Sequence, residues 1–303
     1  MVTVRVGTAG WTDPSLLRAG LYYPRGVSTP EARLRWYAAE FSLVEADAPF
    51  YALPTAETTR AWAERTPPGF VFDVKAFSLL TGHPCRAAAL PRDVRAALPP
   101  RSRDADRLRA EDVPPELAGE LRVRFREALR PLSEAGKLGA VLMQFPPWLR
   151  ASRESAGVVQ RAVAGLELPA SVEVRHESWL DGAHRERTLH FLRALGLPFV
   201  CVDMPQGFAS SLPPIAVATA RALAVVRLHG RNTATWEARV RPTSLRYDYC
   251  YTRDELTPWV DRIRALSQEV DEVHVVMNNC HEDKAIRNAR DVRELLLTRG
   301  ITA

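Results

Sequence analysis

No run of apolar residues in this chain of 303 reaches the roughly 18 to 20 that a membrane span needs, so a transmembrane protein is not expected. Cysteine is scarce and unpaired. Cys85, Cys201, Cys250 and Cys280 lie far apart and form neither a CxxC pair nor a zinc-ligand spacing, which sets aside a disulfide framework and a structural zinc and leaves free thiols. Lysine is nearly missing: Lys75, Lys137 and Lys284 stand against 38 arginines. Signature loops are missing too, with no GxGxxG after a strand, no GKS/T phosphate loop, no GxSxG elbow and no HxH or HExxH. These absences weigh against dinucleotide-binding, P-loop, elbow-serine and helix-borne zinc chemistry.

The chain is 46% apolar and 25% charged, enough to build a sizeable core and too apolar for disorder throughout. Its N-terminus, MVTVRVGTAGW, runs straight into strand-like sequence without a basic or apolar leader, and a cytoplasmic location is the expectation. The net charge of +5 reads first as arginine-biased composition and second as a pull on nucleic acid or another anionic ligand.

Short apolar runs alternate with longer amphipathic segments, the signature of βα units and a parallel sheet. Strands are expected near Val2–Gly7, Leu43–Asp47, Phe70–Lys75, Ala140–Gln144, Ser171–Arg175, Phe199–Asp203, Ala224–His229 and Val273–Asn278. Helical patterns cover Pro30–Phe41, Ala56–Thr66, Val123–Ala135, Arg153–Gly165, His184–Leu195, Arg253–Val270 and Lys284–Leu297. Eight such repeats predict a single-domain TIM-type (β/α) barrel, since about 250 residues suffice for one. One segment breaks the rhythm. Residues 80–121, rich in Pro, Arg and Ala, are too long for an ordinary βα loop and are expected as a surface excursion over the barrel mouth, either a lid or a passive insertion.

In such a barrel the carboxyl ends of the strands build the functional site, and here nearly every strand ends in a group able to bind or titrate. Trp11 follows strand 1, Glu45 lies in strand 2 before Tyr51, Lys75 ends strand 3, and Gln144 ends strand 4. Glu173 and Arg175 end strand 5, Asp203 strand 6, Arg227, His229 and Arg231 strand 7, with Asn279 after strand 8 and Tyr249 in the loop before it. Glu173 and Arg175, like Arg227 and His229, are two residues apart, so each pair shares one strand face. Buried charges need partners, so these residues form either a ligand site or an ion-pair layer closing the barrel.

Glu45 and Glu173 are the general acid/base candidates and His229, flanked by two arginines that disfavour its protonated form, a second proton carrier. Lys75 is a further catalytic candidate, with an anchor to Glu45 or Glu173 as the alternative. Arg175, Arg227 and Arg231 match phosphate or carboxylate geometry, and Asp203, Gln144 and Asn279 would orient the substrate. Trp11, Tyr51 and Tyr249 offer flat surfaces for a base or sugar, while Phe50 and Trp179 read as packing. Glu45, Glu173, Asp203 and His229 are also ligand types of divalent-metal barrels, but their spacing does not support a metal, and no cofactor is expected. The reading is an enzyme of hydrolase or lyase type acting on a phosphorylated or other anionic substrate; the alternatives are a non-catalytic nucleic-acid-binding or repair accessory protein and a barrel that senses a small anion.

GTAGW, FSLVEADAPFYALP, FVFDVKAF, LMQFPP, VEVRHESW, VRLHGR, YDYCYTRDEL and VMNN, in this order at nearly every strand end, resemble the DUF72 (YecE-like) family over almost the full length. The resemblance implies a TIM-barrel-like fold and a cytoplasmic protein, and carries no reaction with it. It departs at Ala9, where the family usually has a small polar residue, and across 46–48, where Asn is common.

Overall fold

The computed structural model describes residues 2–303. Eight parallel strands run through it: β1 (Thr3–Ala9), β2 (Leu43–Ala46), β3 (Val71–Lys75), β4 (Leu138–Gln144), β5 (Ala170–Glu173), β6 (Val200–Asp203), β7 (Leu223–Leu228) and β8 (Glu272–Met277). Ten helices connect them: α1 (Pro14–Ala19), α2 (Pro30–Glu40), α3 (Ala48–Tyr51), α4 (Ala56–Glu64), α5 (Arg92–Ala97), α6 (Pro115–Glu134), α7 (Arg153–Ala164), α8 (Gly182–Ala194), α9 (Arg253–Leu266) and α10 (Lys284–Thr298). The strands neighbour one another in the order β5-β4-β3-β2-β1-β8-β7-β6. Only a single bridge, Val172 to Phe199, with the Val172 N–H donating to the Pro198 carbonyl at 2.9 Å, closes β5 against β6. The expected TIM-type barrel is therefore present, nearly closed, with one thin seam.

Local chemistry fixes the helix starts. Thr29, Thr55, Ser152 and Thr252 each cap the helix that follows with a side-chain oxygen, and Glu255 returns the bond to Thr252 in a capping box. Proline at the first turn starts α6 at Pro115, eight residues before the start predicted from periodicity, because its fixed φ suits a helix entry. Residues 80–121 otherwise fold into short turns and α5, with Leu90, Val94, Leu98 and Leu108 sunk into the core. Among the described residues no helix is long and apolar enough to cross a membrane.

The amino-terminal end of the barrel is closed by charge. Asp73 of β3 faces His274 of β8, whose Nδ1 lies 2.9 Å from Oδ2, while Nε2 lies 3.3 Å from Glu272, itself paired with Arg5 of β1. A bulge in the β3–β4 pairing leaves the Ala140 N–H out of the ladder, and Asp73 accepts it at 3.0 Å. Gly139 makes room for this group: a Cβ there would stand 2.6 Å from Asp73 Oδ1 and 2.7 Å from His274 Cε1. Burial alone would lower the His274 pKa, but the Asp73 and Glu272 carboxylates outweigh it and hold the imidazolium up to about 9.

Two outcomes follow for stability. Gly139→Ala should cost roughly 1–3 kcal/mol in urea unfolding, since the new methyl overpacks a site with no slack. His274 binds its proton more tightly folded than unfolded, so its contribution is whole below about pH 6.5 and is lost as the pH rises through about 9. The stability gap between wild type and His274→Gln should be widest below pH 6.5 and shrink towards pH 9, and a gap independent of pH would show that the pair is not ionic.

Candidate functional site

The opposite end of the barrel holds a second buried charge layer, and one guanidinium organises it. Arg227 of β7 donates from Nε to Glu45 Oε2 at 2.8 Å and from a terminal nitrogen to Glu45 Oε1 at 2.5 Å. Its other terminal nitrogen donates to Glu173 of β5 and reaches Gln144 Oε1 at 3.4 Å. Arg175 donates to the second Glu173 oxygen at 3.2 Å. Period-two geometry delivers these side chains: Leu43 and Glu45 on β2, Glu173 and Arg175 from β5, and Arg227 and His229 from β7 all turn inward. Arg227, Glu45, Glu173 and His229 are each at most 1% exposed, so the layer is sealed.

The two carboxylates are not equivalent. Burial favours the protonated form of both. At Glu173 the charges of Arg227 and Arg175, with the His229 ring turned towards it, outweigh burial and hold the carboxyl well below the usual range. Glu45 shares Arg227 with that competitor and faces Asp47, so burial prevails and its pKa rises to about 8. His229 lies with Nε2 3.5 Å from Glu173 Oε1, and its Nδ1 is 2.7 Å from Asn278 Nδ2. An amide N–H donating to Nδ1 puts the ring proton on Nε2, and burial, followed by Arg227 and Arg175, lowers the pKa to about 4 despite Glu173. His229 is therefore neutral at physiological pH.

Other predicted residues sit beside this layer rather than in it. Asp203 is held in a fork by Arg231, at 2.9 and 3.1 Å, and accepts the Tyr251 hydroxyl at 2.6 Å. The Tyr249 hydroxyl donates to Glu255 at 2.5 Å, and Arg231 also reaches Glu255 at 3.3 Å. Asn279 donates to the Tyr249 carbonyl and to Asn288, so its neighbour Asn278 is the one that meets the buried layer. Gly230, at φ +85°, permits the turn between these groups, and a Cβ there would meet Tyr249 Cβ at 2.8 Å. Lys75 pairs with neither glutamate but lies 3.7 Å from Asp47, its ammonium 4.6 Å from the centre of the Phe50 ring. Trp11 packs on Trp62 and Phe72 beside a separate hollow of about 290 Å³, and Tyr51 is an exposed rim residue.

Above the sealed layer opens a cleft of about 590 Å³ between the loops that follow β4, β5, β6 and β7. Arg175 forms its floor, mostly buried, with Nε unpartnered and the guanidinium 5.1 Å from the Trp236 ring centre. Arg150 and Arg246 line the walls against a single carboxylate, Glu237. Trp148, 56% exposed, separates this cleft from a second hollow of about 450 Å³ carrying Arg107 and Arg109. His83 stands at the same rim, its ring 5.2 Å from Phe50 and 5.6 Å from Trp148.

His83, Trp148, Arg150, Trp236 and Arg246 are not recovered by sequence reasoning. They come from loops and from the excursion after β3, where no periodicity assigns a face; only Trp148, directly after the Pro146-Pro147 that follows β4, carries a positional signal. Among the described residues no group of three His, Cys, Asp or Glu side chains is placed to hold a metal ion. The metal-type side chains are otherwise engaged, Glu45 and Glu173 on Arg227 and Asp203 on Arg231 and Tyr251.

The profile of the family described as protein of unknown function DUF72 matches residues 5–302. The UPF0759 protein YunF of Bacillus subtilis is 30% identical over 297 residues, which are 97% of this chain and 94% of that protein. A crystal structure of a DUF72 family protein from Thermotoga maritima aligns with a TM-score of 0.76 at 30% identity, over 97% of this chain and 99% of that one. Another, from Enterococcus faecalis, aligns at 0.77 and 26% identity over 97% and 96%. By a profile match that spans its whole barrel, and by relatives alike in sequence and in fold from end to end, this chain belongs to the DUF72 family.

Proposed function

We propose that the protein is an enzyme of hydrolase or lyase type that acts on a phosphorylated or otherwise anionic substrate held at the carboxyl ends of the barrel strands. The observation that carries this reading is Arg175: a mostly buried guanidinium, tied to Glu173 through one terminal nitrogen while the other takes no partner among the described residues, at the floor of a cleft whose walls add Arg150 and Arg246. A desolvated cation with a free donor attracts an anion far more strongly than the same cation in water. Glu173 fixes its direction, and Lys75 adds a second charge at the rim.

The sealed layer supports rather than touches the ligand. Arg227 keeps both carboxylates in place, and Glu45, with its pKa near 8, is the member able to exchange a proton close to neutral pH. This chemistry draws its charge stabilisation from side chains and calls for no cofactor. A second reading, nucleic-acid binding, is favoured by Trp148, an exposed ring flanked by Arg107, Arg109 and Arg150 on which a base could stack. Its mark would be an affinity for single-stranded DNA or RNA that falls steeply with salt and survives Arg175→Ala.

The division of labour predicts different outcomes for two arginines. Arg227→Ala should destabilise the fold by about 3–5 kcal/mol in urea unfolding, because it strands two buried carboxylates. Arg175→Ala should destabilise less, because Glu173 keeps Arg227, and should weaken calorimetric binding of inorganic phosphate by about tenfold to a hundredfold, the loss of one charge-assisted bond. It should also abolish turnover of whichever member of a phosphomonoester and phosphodiester panel the wild type consumes. Equal phosphate affinity in Arg175→Ala and wild type would remove the anion assignment.

A further inference from the structure

Besides His281, which lies 3.7 Å from Asp248, three histidines stand at or beneath the barrel mouth, and the hydrogen-bond partner of each Nδ1 among these three decides what its other nitrogen can do. At His229 the Asn278 amide donates to Nδ1, and Nε2–H is sealed beneath the surface. At His176, which lines the cleft, the backbone N–H of Ser178 donates to Nδ1 at 3.1 Å, so Nε2 again carries the proton and can only donate. His83 is the reverse. We assign the one proton of the Thr81 hydroxyl, which lies 2.9 Å from His83 Nδ1, to the Ser78 carbonyl at 3.1 Å, and its oxygen then accepts Nδ1–H. The lone pair of His83 is therefore on Nε2, which takes no hydrogen bond among the described residues and is not sealed from solvent.

We propose that His83 is the proton acceptor of this site, with Nε2 as the accepting atom, and that an anion seated on Lys75 and Arg175 is what makes it basic. The inference rests on the anionic-substrate reading above. The ring is held edge-on between Phe50 and Trp148, which fixes the direction of Nε2. The charges that face it are Lys75 from β3, Arg175 from the end of β5 and Glu173 from β5. Burial, then Lys75, then Arg175 depress its proton affinity, against Glu173, to a pKa of about 4. At that value it is a poor base. An anion on the two cations cancels their field, so the imidazole regains affinity for a proton only when substrate is present. It then takes a proton from a water or substrate hydroxyl and becomes an imidazolium beside the bound anion.

Anion binding and His83 protonation are then coupled, and the coupling is reciprocal. Sulfate serves as the probe because its charge is constant across the range. Calorimetry on the full chain should show sulfate affinity rising by about tenfold or more as the pH falls from 7 to 5. The rise should persist in His176→Gln and vanish in His83→Gln. A slope kept by His83→Gln, or a flat profile in a wild type that binds sulfate, would overturn the proposal and leave the anion site standing. Absence of sulfate binding at every pH would take down both. Independently, nitrogen-15 spectra of the free protein should show His83 as the Nδ1–H tautomer, and an Nε2–H tautomer would refute it.

Discussion

The mouth of this barrel depends on one buried guanidinium answering to two carboxylates. An isolated charge in a dry interior costs several kcal/mol, so Arg227, Glu45 and Glu173 are tolerable only as a set, and the set exists only if β2, β5 and β7 converge. Closure of the barrel and survival of the ion layer are thus the same event. This matters most near the seam, where a single bridge joins β5 to β6. Arg227 ties β5 to β2 and β7 across the interior, where the backbone ladder offers least.

A layer that divides its cations unevenly is also a device for making equal residues unequal. Glu173 takes Arg175 in addition to its share of Arg227; Glu45 does not. One carboxyl is therefore pinned as an anion while the other is drawn towards protonation. The amino-terminal layer is built differently. There His274 lies between Asp73 and Glu272 and Arg5 meets Glu272, so both cations are matched by carboxylates and no member is left open to a cleft. Two charged layers in one barrel thus divide into a closed lock and an unbalanced support.

The fold was legible because period-two apolar strands alternating with helical faces leave few architectures open, and each of the eight expected strands lies within two residues of its place. The buried layer was legible for a related reason: Glu173 with Arg175 and Arg227 with His229 alternate on strands, so a shared face follows from spacing alone. Which of two adjacent residues faces in is harder once the strand has ended. Asn278 rather than Asn279 meets His229, since only coordinates fix where β8 stops. Loop residues were the least legible. His83 reaches the rim through the turns around Ser78–Thr81, and Trp236 and Arg246 through the long loop after β7, none of which has a period to read.

The three depressed or raised groups around the mouth respond to charge in the same direction. His83 and His229 are held neutral partly by Arg175, and Glu45 is raised by burial while Arg227 and Lys75 work to keep it ionised. The fields of Lys75 and Arg175 at His83 would weaken if an anion settled on them, as proposed. On the proposed anion site, His83 then gains proton affinity. On this proposal the coupling needs no movement of the backbone, because the same two cations both attract the ligand and suppress the base.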